Sequence, residues 1–329
     1  MEEGPLAKRN QPAATKKKQT KSRTGTASKG SKAQASIRQV QDAGDRARDW
    51  LGDRRDYHGY LSRRESGRGA PELARHLRGD LLARQSADGG WGDLATSVDS
   101  LWRLLDLGLS ADLPAVSRAL DWLFGQRDQD GAFSHGCSPA RHEQRICEHY
   151  ISGFFSAGPA SESQELILNN GQSVTSDVGA RLLSSERALR LALRARPTDS
   201  RVSASVTGLR ALPLYLEYGG SFTPAVLVGA IQALAWLRGT VLGELEAGLE
   251  VLLSAQAKDG TWPNVEFFFV VETLLEVRHP AANTMLRKCL PRLLDAQHKD
   301  GSWGRRYMAA QTWIGLQALE RALDVIRRT

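Results

Sequence analysis

From about residue 69 onward the apolar positions fall three and four residues apart. Leu113, Val116, Leu120, Leu123 and Phe124 show the pattern, which lays one apolar stripe along a helix. Such two-faced stretches end at Asp-Gly steps, where glycine supplies the positive φ that a helix terminus or tight turn requires. Each is followed by a second stretch that is apolar nearly all round: "SVDSLWRLLDLGL", "AVLVGAIQALAWL", "EFFFVVETLLEV" and "AAQTWIGLQALERAL". A two-faced helix paired with an all-apolar one predicts an inner set of helices sheathed by an outer set.

The pairs recur. "LLARQSADGGWGD", "WLFGQRDQDGAFS", "LLSAQAKDGTWPN" and "LLDAQHKDGSWGR" place their aspartates at positions 88, 130, 259 and 300. Successive steps of 42, 129 and 41 residues imply two degenerate copies in the long interval. The turn-forming "NNGQ" (169–172) and "YGG" (218–220) fall near the expected places. Six units of about 42 residues result.

Gln85 with Gly90 and Trp91, Gln126 with Gly131 and Phe133, Gln256 with Gly260 and Trp262, and Gln297 with Gly301 and Trp303 resemble the QW repeats of terpenoid cyclases and protein prenyltransferase β subunits. The resemblance covers roughly residues 69–329. It implies an all-α fold, an α/α toroid of six units in a double ring of helices, with glutamine and aromatic side chains tying one helix end to the next. The expected domain runs from residue 46 to 329. Within it, "ELILNNGQSVTSD" (165–177) alternates apolar and polar residues around Asn170-Gly171. That is a strong hairpin signal, and it predicts a small two-stranded flap in place of one outer helix.

A fold of this kind carries cyclases, transferases and thioester proteins alike, so chemistry has to be sought residue by residue. The Asp-x-Asp-Asp run with which cyclases of the family protonate an alkene is absent, as is the Asp-x-Cys pair with which prenyltransferases hold zinc. Cys137 has its next glutamine seven residues on, at Gln144, where the thioester signature requires three. The candidate catalytic acids are Asp99, on the helix after the first repeat, and Glu272, with Glu266 on the other side of Phe267, Phe268 and Phe269. Each is an isolated acid, equally compatible with a solvated or capping role. Cys289, in "MLRKCLPRLL", suits a small buried apolar side chain.

The densest group of reactive side chains is "HGCSPARHEQRICEHY" (135–150), with three of the seven histidines and two of the three cysteines. Zinc favours thiolate and imidazole in a tetrahedron with short local spacings. Cys137, His142, Cys147 and His149, with His135 as an alternative fourth, form the candidate metal set, and zinc the expected cofactor. A helix beginning after about residue 144 would bring them together, with the loop before it supported by Pro139. A cysteine nucleophile activated by His142 or His149, and a structural polar cluster, are the alternatives.

Composition adds the N-terminus. The chain has 329 residues and a net charge of +7, of which residues 1–45 carry +6. Seven of the ten lysines lie there and no aromatic does, a composition predicting a disordered basic tail. Lys8, Arg9, Lys16, Lys17, Lys18, Lys21 and Arg23 would attract nucleic acid without sequence preference, or an anionic surface. "KRNQPAATKKK" resembles a bipartite nuclear-import signal. With no membrane span, no signal-peptide h-region and an odd cysteine count, the expectation is a cytoplasmic protein, or a nuclear one in a eukaryote.

Two functions remain open. One is an enzyme acting on a hydrophobic, isoprenoid-like substrate within the ring, with the Cys/His cluster as its metal or thiol centre. The other is a non-catalytic binding or scaffold toroid, holding a small molecule or protein segment, in which zinc is structural.

Overall fold

The computed structural model describes residues 27–126, 165–211, 223–237 and 242–328. The chain divides into a short N-terminal unit, Met1–Gln39, and a large unit, Val40–Thr329, which builds a ring of helices. Twelve helices are described: α1 Ala27–Gly52, α2 Tyr57–Glu65, α3 Pro71–Ala83, α4 Leu94–Asp106, α5 Pro114–Gly125, α6 Asp177–Ala195, α7 Ser200–Ala211, α8 Pro224–Leu234, α9 Leu242–Ser254, α10 Phe267–Glu276, α11 Pro280–Ala296 and α12 Met308–Arg328. The strands β1 Leu166–Ile167 and β2 Ser173–Val174 precede α6. From Val40 on, helix α1 belongs to the large unit. Its Val40, Ala43, Ala47 and Leu51 are buried, so the packed chain starts before the expected boundary at residue 46. The basic residues up to Arg23 lie outside the described residues.

Six of the described helices form the inner ring. Each of α4, α6, α8, α10 and α12 packs on the next, and α12 packs on α2. The circle closes where the Tyr57 hydroxyl of α2 donates to Asp106 of α4 and Arg64 Nη1 donates to the Asp106 carbonyl oxygen at 2.6 Å. The outer layer consists of α3, α5, α7, α9 and α11, packed on the inner helices, and of α1, tied to α12 by the Arg48–Glu320 pair at 2.9 Å. The all-apolar stretches supply inner helices, because an inner helix is covered on every side. In α8 every residue from Pro224 to Leu234 is buried. The two-faced stretches supply outer helices, whose polar stripe meets solvent.

The repeated motif makes the same bonds at three places. Trp91, Trp262 and Trp303 each donate their indole N–H at 2.8 Å to a carbonyl near the end of the preceding outer helix, those of Leu81, Leu252 and Leu293. Each ring thus satisfies one of the orphan acceptors of a helix C-terminus. The glutamine reaches forward. Gln85 Nε2 donates to Ala115 O in α5 at 3.0 Å, Gln256 Nε2 to Met285 O in α11 at 3.1 Å, and Gln297 Nε2 to Ala43 O in α1 at 2.8 Å. The last of these closes the outer ring, joining the final motif to the first outer helix. Gly89, Gly260 and Gly301 have φ of 105°, 85° and 92°. A Cβ on Gly89 would lie 2.6 Å from the Arg118 carbonyl oxygen, and one on Gly260 or Gly301 would overlap the carbonyl of Lys288 or Arg46. Glycine is required there by backbone sign and by close approach together. In the second motif, Gly131 and Phe133 lie outside the described residues.

The hairpin is present, with Leu166 paired to Val174 and Ile167 to Ser173 in antiparallel register. Leu168 N–H donates to Gln172 O at 2.8 Å, so the loop holds three residues, Asn169, Asn170 and Gly171, with Gly171 at φ 103°. That is the three-residue loop with a left-handed glycine, a neighbour of the two-residue Asn-Gly turn. The hairpin takes no outer helix's place. It enters inner helix α6, and its tip lies at the ring lumen.

Candidate functional site in the ring lumen

The inner helices enclose a cavity of about 280 Å³. Both acids singled out from the sequence, Asp99 on α4 and Glu272 on α10, line it. So do Trp102, Phe269, Trp313 and Ile314, which give the lumen an aromatic and aliphatic wall.

Helical spacing puts the polar groups in rows. On α4, Asp99, Trp102, Arg103 and Asp106 stand three and four apart, hence on one face. On the facing α6, Arg187, Arg190 and Arg194 do the same. The two rows interleave. Arg187 pairs with Asp99, and Arg194 Nη2 pairs with Asp106 Oδ1 at 2.7 Å. Arg190 pairs with Glu276 of α10, which also accepts from Trp236 Nε1 at 3.0 Å and Gln232 Nε2 at 3.3 Å. The Trp102 ring has the guanidiniums of Arg190 and Arg194 at 4.1 and 4.4 Å from its centroid and meets Trp236 edge-on at 5.6 Å. Cation–π contact of this kind adds of order 0.5–2 kcal/mol where water is excluded.

The hairpin tip completes the polar set. Asn169 Nδ2 donates to Asp99 at 2.6 Å and Asn170 Nδ2 to Glu272 at 2.7 Å. Asn170 O accepts from Gln311 Nε2 of α12 at 2.8 Å, and Gln172 Oε1 accepts from Glu266 N, the cap of α10, at 2.8 Å. Two asparagines and a glutamine of the flap thus bridge α4, α10 and α12 across the lumen.

Burial and charge set the protonation states. Burial pushes the Glu276 carboxyl above the usual carboxylate range, with Arg190 pulling it back and Glu272 adding to the rise. Burial, reinforced by the Asp106 charge, pushes the Tyr57 phenol well up. His58 also lines the lumen, and burial pushes its imidazole down to about 4, against the attraction of Asp56. It is therefore neutral at pH 7.

The zinc expectation needs correction. Among the described residues no group of three or more His, Cys, Asp or Glu could hold a metal ion. The physical reason in the lumen is that the carboxylates face guanidiniums and asparagine amides, with neither a thiolate nor a second histidine beside them. Cys137, His142, Cys147 and His149, together with His135, lie outside the described residues. Cys289 is fully buried, its thiol donating to Met285 O at 3.2 Å and Gly260 O at 3.3 Å, and burial pushes it up to about 12. It is a packed side chain and not a nucleophile.

The arginine row, Trp102, Asp106, Glu276 and His58 were not among the residues picked from sequence. The spacing 187, 190, 194 was the available signal, since a charged row on an inner helix has to find partners inside.

No protein-family model matches the chain, and no curated protein sequence does. Solved structures match in fold. The type II terpene cyclase MstE from Scytonema, in complex with its substrate geranylgeranyl dihydroxybenzoate, aligns with a TM-score of 0.56 at 14% identity over 88% of this chain and 99% of its own. The same enzyme without ligand aligns at 0.54 and 13% identity, over 89% and 100%. A protein from Actinoplanes aligns at 0.56 and 16% identity, over 86% and 99%. At such identities the likeness is one of fold: a terpenoid-cyclase-like α/α toroid.

Proposed function

We propose that this chain binds a hydrophobic, isoprenoid-like molecule inside its ring. The observation that carries the proposal is an enclosed lumen in which Trp102, Phe269 and Trp313 stand beside carboxylates already paired with guanidiniums. The aromatic wall supplies the apolar contact, and the paired charges need no counter-ion from the ligand. At about 280 Å³ the cavity lies just below the roughly 300–1,000 Å³ typical of small-molecule pockets, which suits a short prenyl chain. Support comes also from the toroid of MstE, whose substrate carries a geranylgeranyl group. The test is tryptophan-fluorescence titration of the purified chain with farnesol. Saturable quenching, weakened about tenfold or more by Trp313→Ala, is expected. Linear, unsaturable quenching would defeat the proposal.

A second function, acid catalysis on such a ligand, is favoured by one observation. Asp99, Asp106 and Glu276 each face an arginine, whereas among the described residues Glu272 accepts only from Asn170. Glu272 is accordingly the proton donor we would assign, with Asp99 as a charge that holds Arg187 and the flap. Turnover of a polyene lost in Glu272→Gln and kept in Asp99→Asn would support it. The basic residues 8–23 are proposed to attract an anionic surface or nucleic acid by charge alone.

A further inference from the structure

Three carboxylates of the lumen are paired with arginines, whereas among the described residues two neutral polar side chains of the lumen are not engaged. Among the described residues neither the His58 imidazole nor the Gln317 amide has a hydrogen-bond partner, yet both line the cavity. They stand on α2 and α12, which are neighbours in the inner ring. Gln317 lies one turn beyond Trp313 on the same face, and His58 precedes Leu61 by three, so each sits next to an apolar part of the wall. Both side chains are half-buried, so a ligand that displaces water from the lumen gains where it carries a polar group to replace the water's hydrogen bonds to them.

We propose that His58 and Gln317 form a neutral hydrogen-bonding subsite that takes the hydroxyl or carbonyl of an uncharged hydrophobic ligand. The proposal rests on the ring-binding function above and specifies its ligand. A neutral imidazole offers one donor and one acceptor, and an amide offers both, so the pair can serve either a hydroxyl or a carbonyl. A diphosphate is poorly matched. The four carboxylates of the lumen are balanced by the guanidiniums of Arg103, Arg187, Arg190 and Arg194, three of them in direct pairs. An anion drawing one of the three away would strand its carboxylate, and breaking a buried pair is strongly unfavourable. Among the described residues lining the lumen, Arg103, whose guanidinium lies 5.3 Å from the Tyr57 ring centroid, is the cation from which an anionic head could gain without breaking a pair.

Three probes of one chain length separate the cases: farnesene, farnesol and farnesyl diphosphate, titrated into the full chain by tryptophan fluorescence. Farnesol is expected to bind about tenfold more tightly than farnesene, the worth of one net hydrogen bond at an enclosed site. His58→Phe and Gln317→Leu are each expected to remove most of that preference while leaving farnesene binding in place. The substitutions lie on different helices, so either one that folds, as judged by thermal melting, suffices. Equal binding of farnesol and farnesene to the unaltered chain would overturn the subsite. Tightest binding of the diphosphate, lost in Arg103→Gln, would overturn it in favour of an anionic head. Binding of none of the three would overturn the ring-binding function itself.

Discussion

Glu186 of α6 offers the sharpest energetic test of the packing between inner helices. It is completely buried, neither carboxyl oxygen has a hydrogen-bond partner, and a side chain at Gly229 of α8 would overlap it. Burial pushes its pKa well above the value of 4.5 it would have in water, so the folded chain holds the carboxyl proton to higher pH than the unfolded chain does. Two costs follow. An enclosed carboxyl without a partner is unfavourable by about 1–3 kcal/mol. Beyond that, the folded state holds a proton that the unfolded chain releases above about pH 4.5, so stability falls as pH rises through this range. The loss is about 1.4 kcal/mol per pH unit until the folded-state pKa is reached. Glu186→Met keeps an unbranched side chain of similar length beside Gly229 and removes both costs. Urea unfolding of the two chains at pH 5 and pH 8 reads the difference. The variant is expected to be more stable at pH 5 by about 1–3 kcal/mol, with the advantage larger at pH 8. Glu276, also raised by burial, remains in both chains, so the comparison isolates Glu186. A variant less stable at both pH values, or one whose advantage does not grow with pH, would refute the reasoning.

Gly301→Ala should cost at least about 2 kcal/mol, because φ is 92° and the new Cβ overlaps the Arg46 carbonyl, whereas Gly243→Ala, at a helical position with open space around it, should stabilise by about 0.4–1 kcal/mol; thermal melting checks the opposite signs. Asp106→Asn should bring the Tyr57 phenol down toward its ordinary range by removing a neighbouring negative charge, visible in ultraviolet titration as earlier ionisation, and no change would contradict the contact. Since His58 titrates at about 4, farnesol affinity should be flat from pH 8 to pH 5.5 in the unaltered chain, and a midpoint near 6.5 would show that the imidazole is not held neutral.

Much of the ring was legible because its repeat acts locally. Gln85, Gln256 and Gln297 with their glycines and tryptophans sit at one spacing, and each copy does the same work on a helix end. Closure onto α1 was not legible, since Ala43 lies 254 residues from Gln297 in a stretch whose composition reads as tail. Asp99 and Glu272 could be nominated because they follow repeats on inner helices. Their surroundings could not: Arg187 meets Asp99 across 88 residues and Asn170 meets Glu272 across 102. Charged rows read singly resemble solvated faces, and only the circular order of helices shows that those on α4 and α6 oppose each other. The Asn-Gly signal located the hairpin correctly, but not its place at the lumen, which depends on Gln311 and Glu266 far along the chain. The Cys/His cluster drew attention through density alone, and density does not supply a tetrahedron.

The central claim is that the ring lumen receives a hydrophobic ligand, and photolabelling tests it most directly. A diazirine-bearing farnesyl probe is bound to the full chain, irradiated, and the labelled peptides are identified by mass spectrometry. Labelling on α4, α10 and α12 at or beside Trp102, Phe269 and Trp313, suppressed by excess farnesol, is the predicted result. Labelling confined to the outer helices α3, α5, α9 and α11, or unaffected by farnesol, would contradict it.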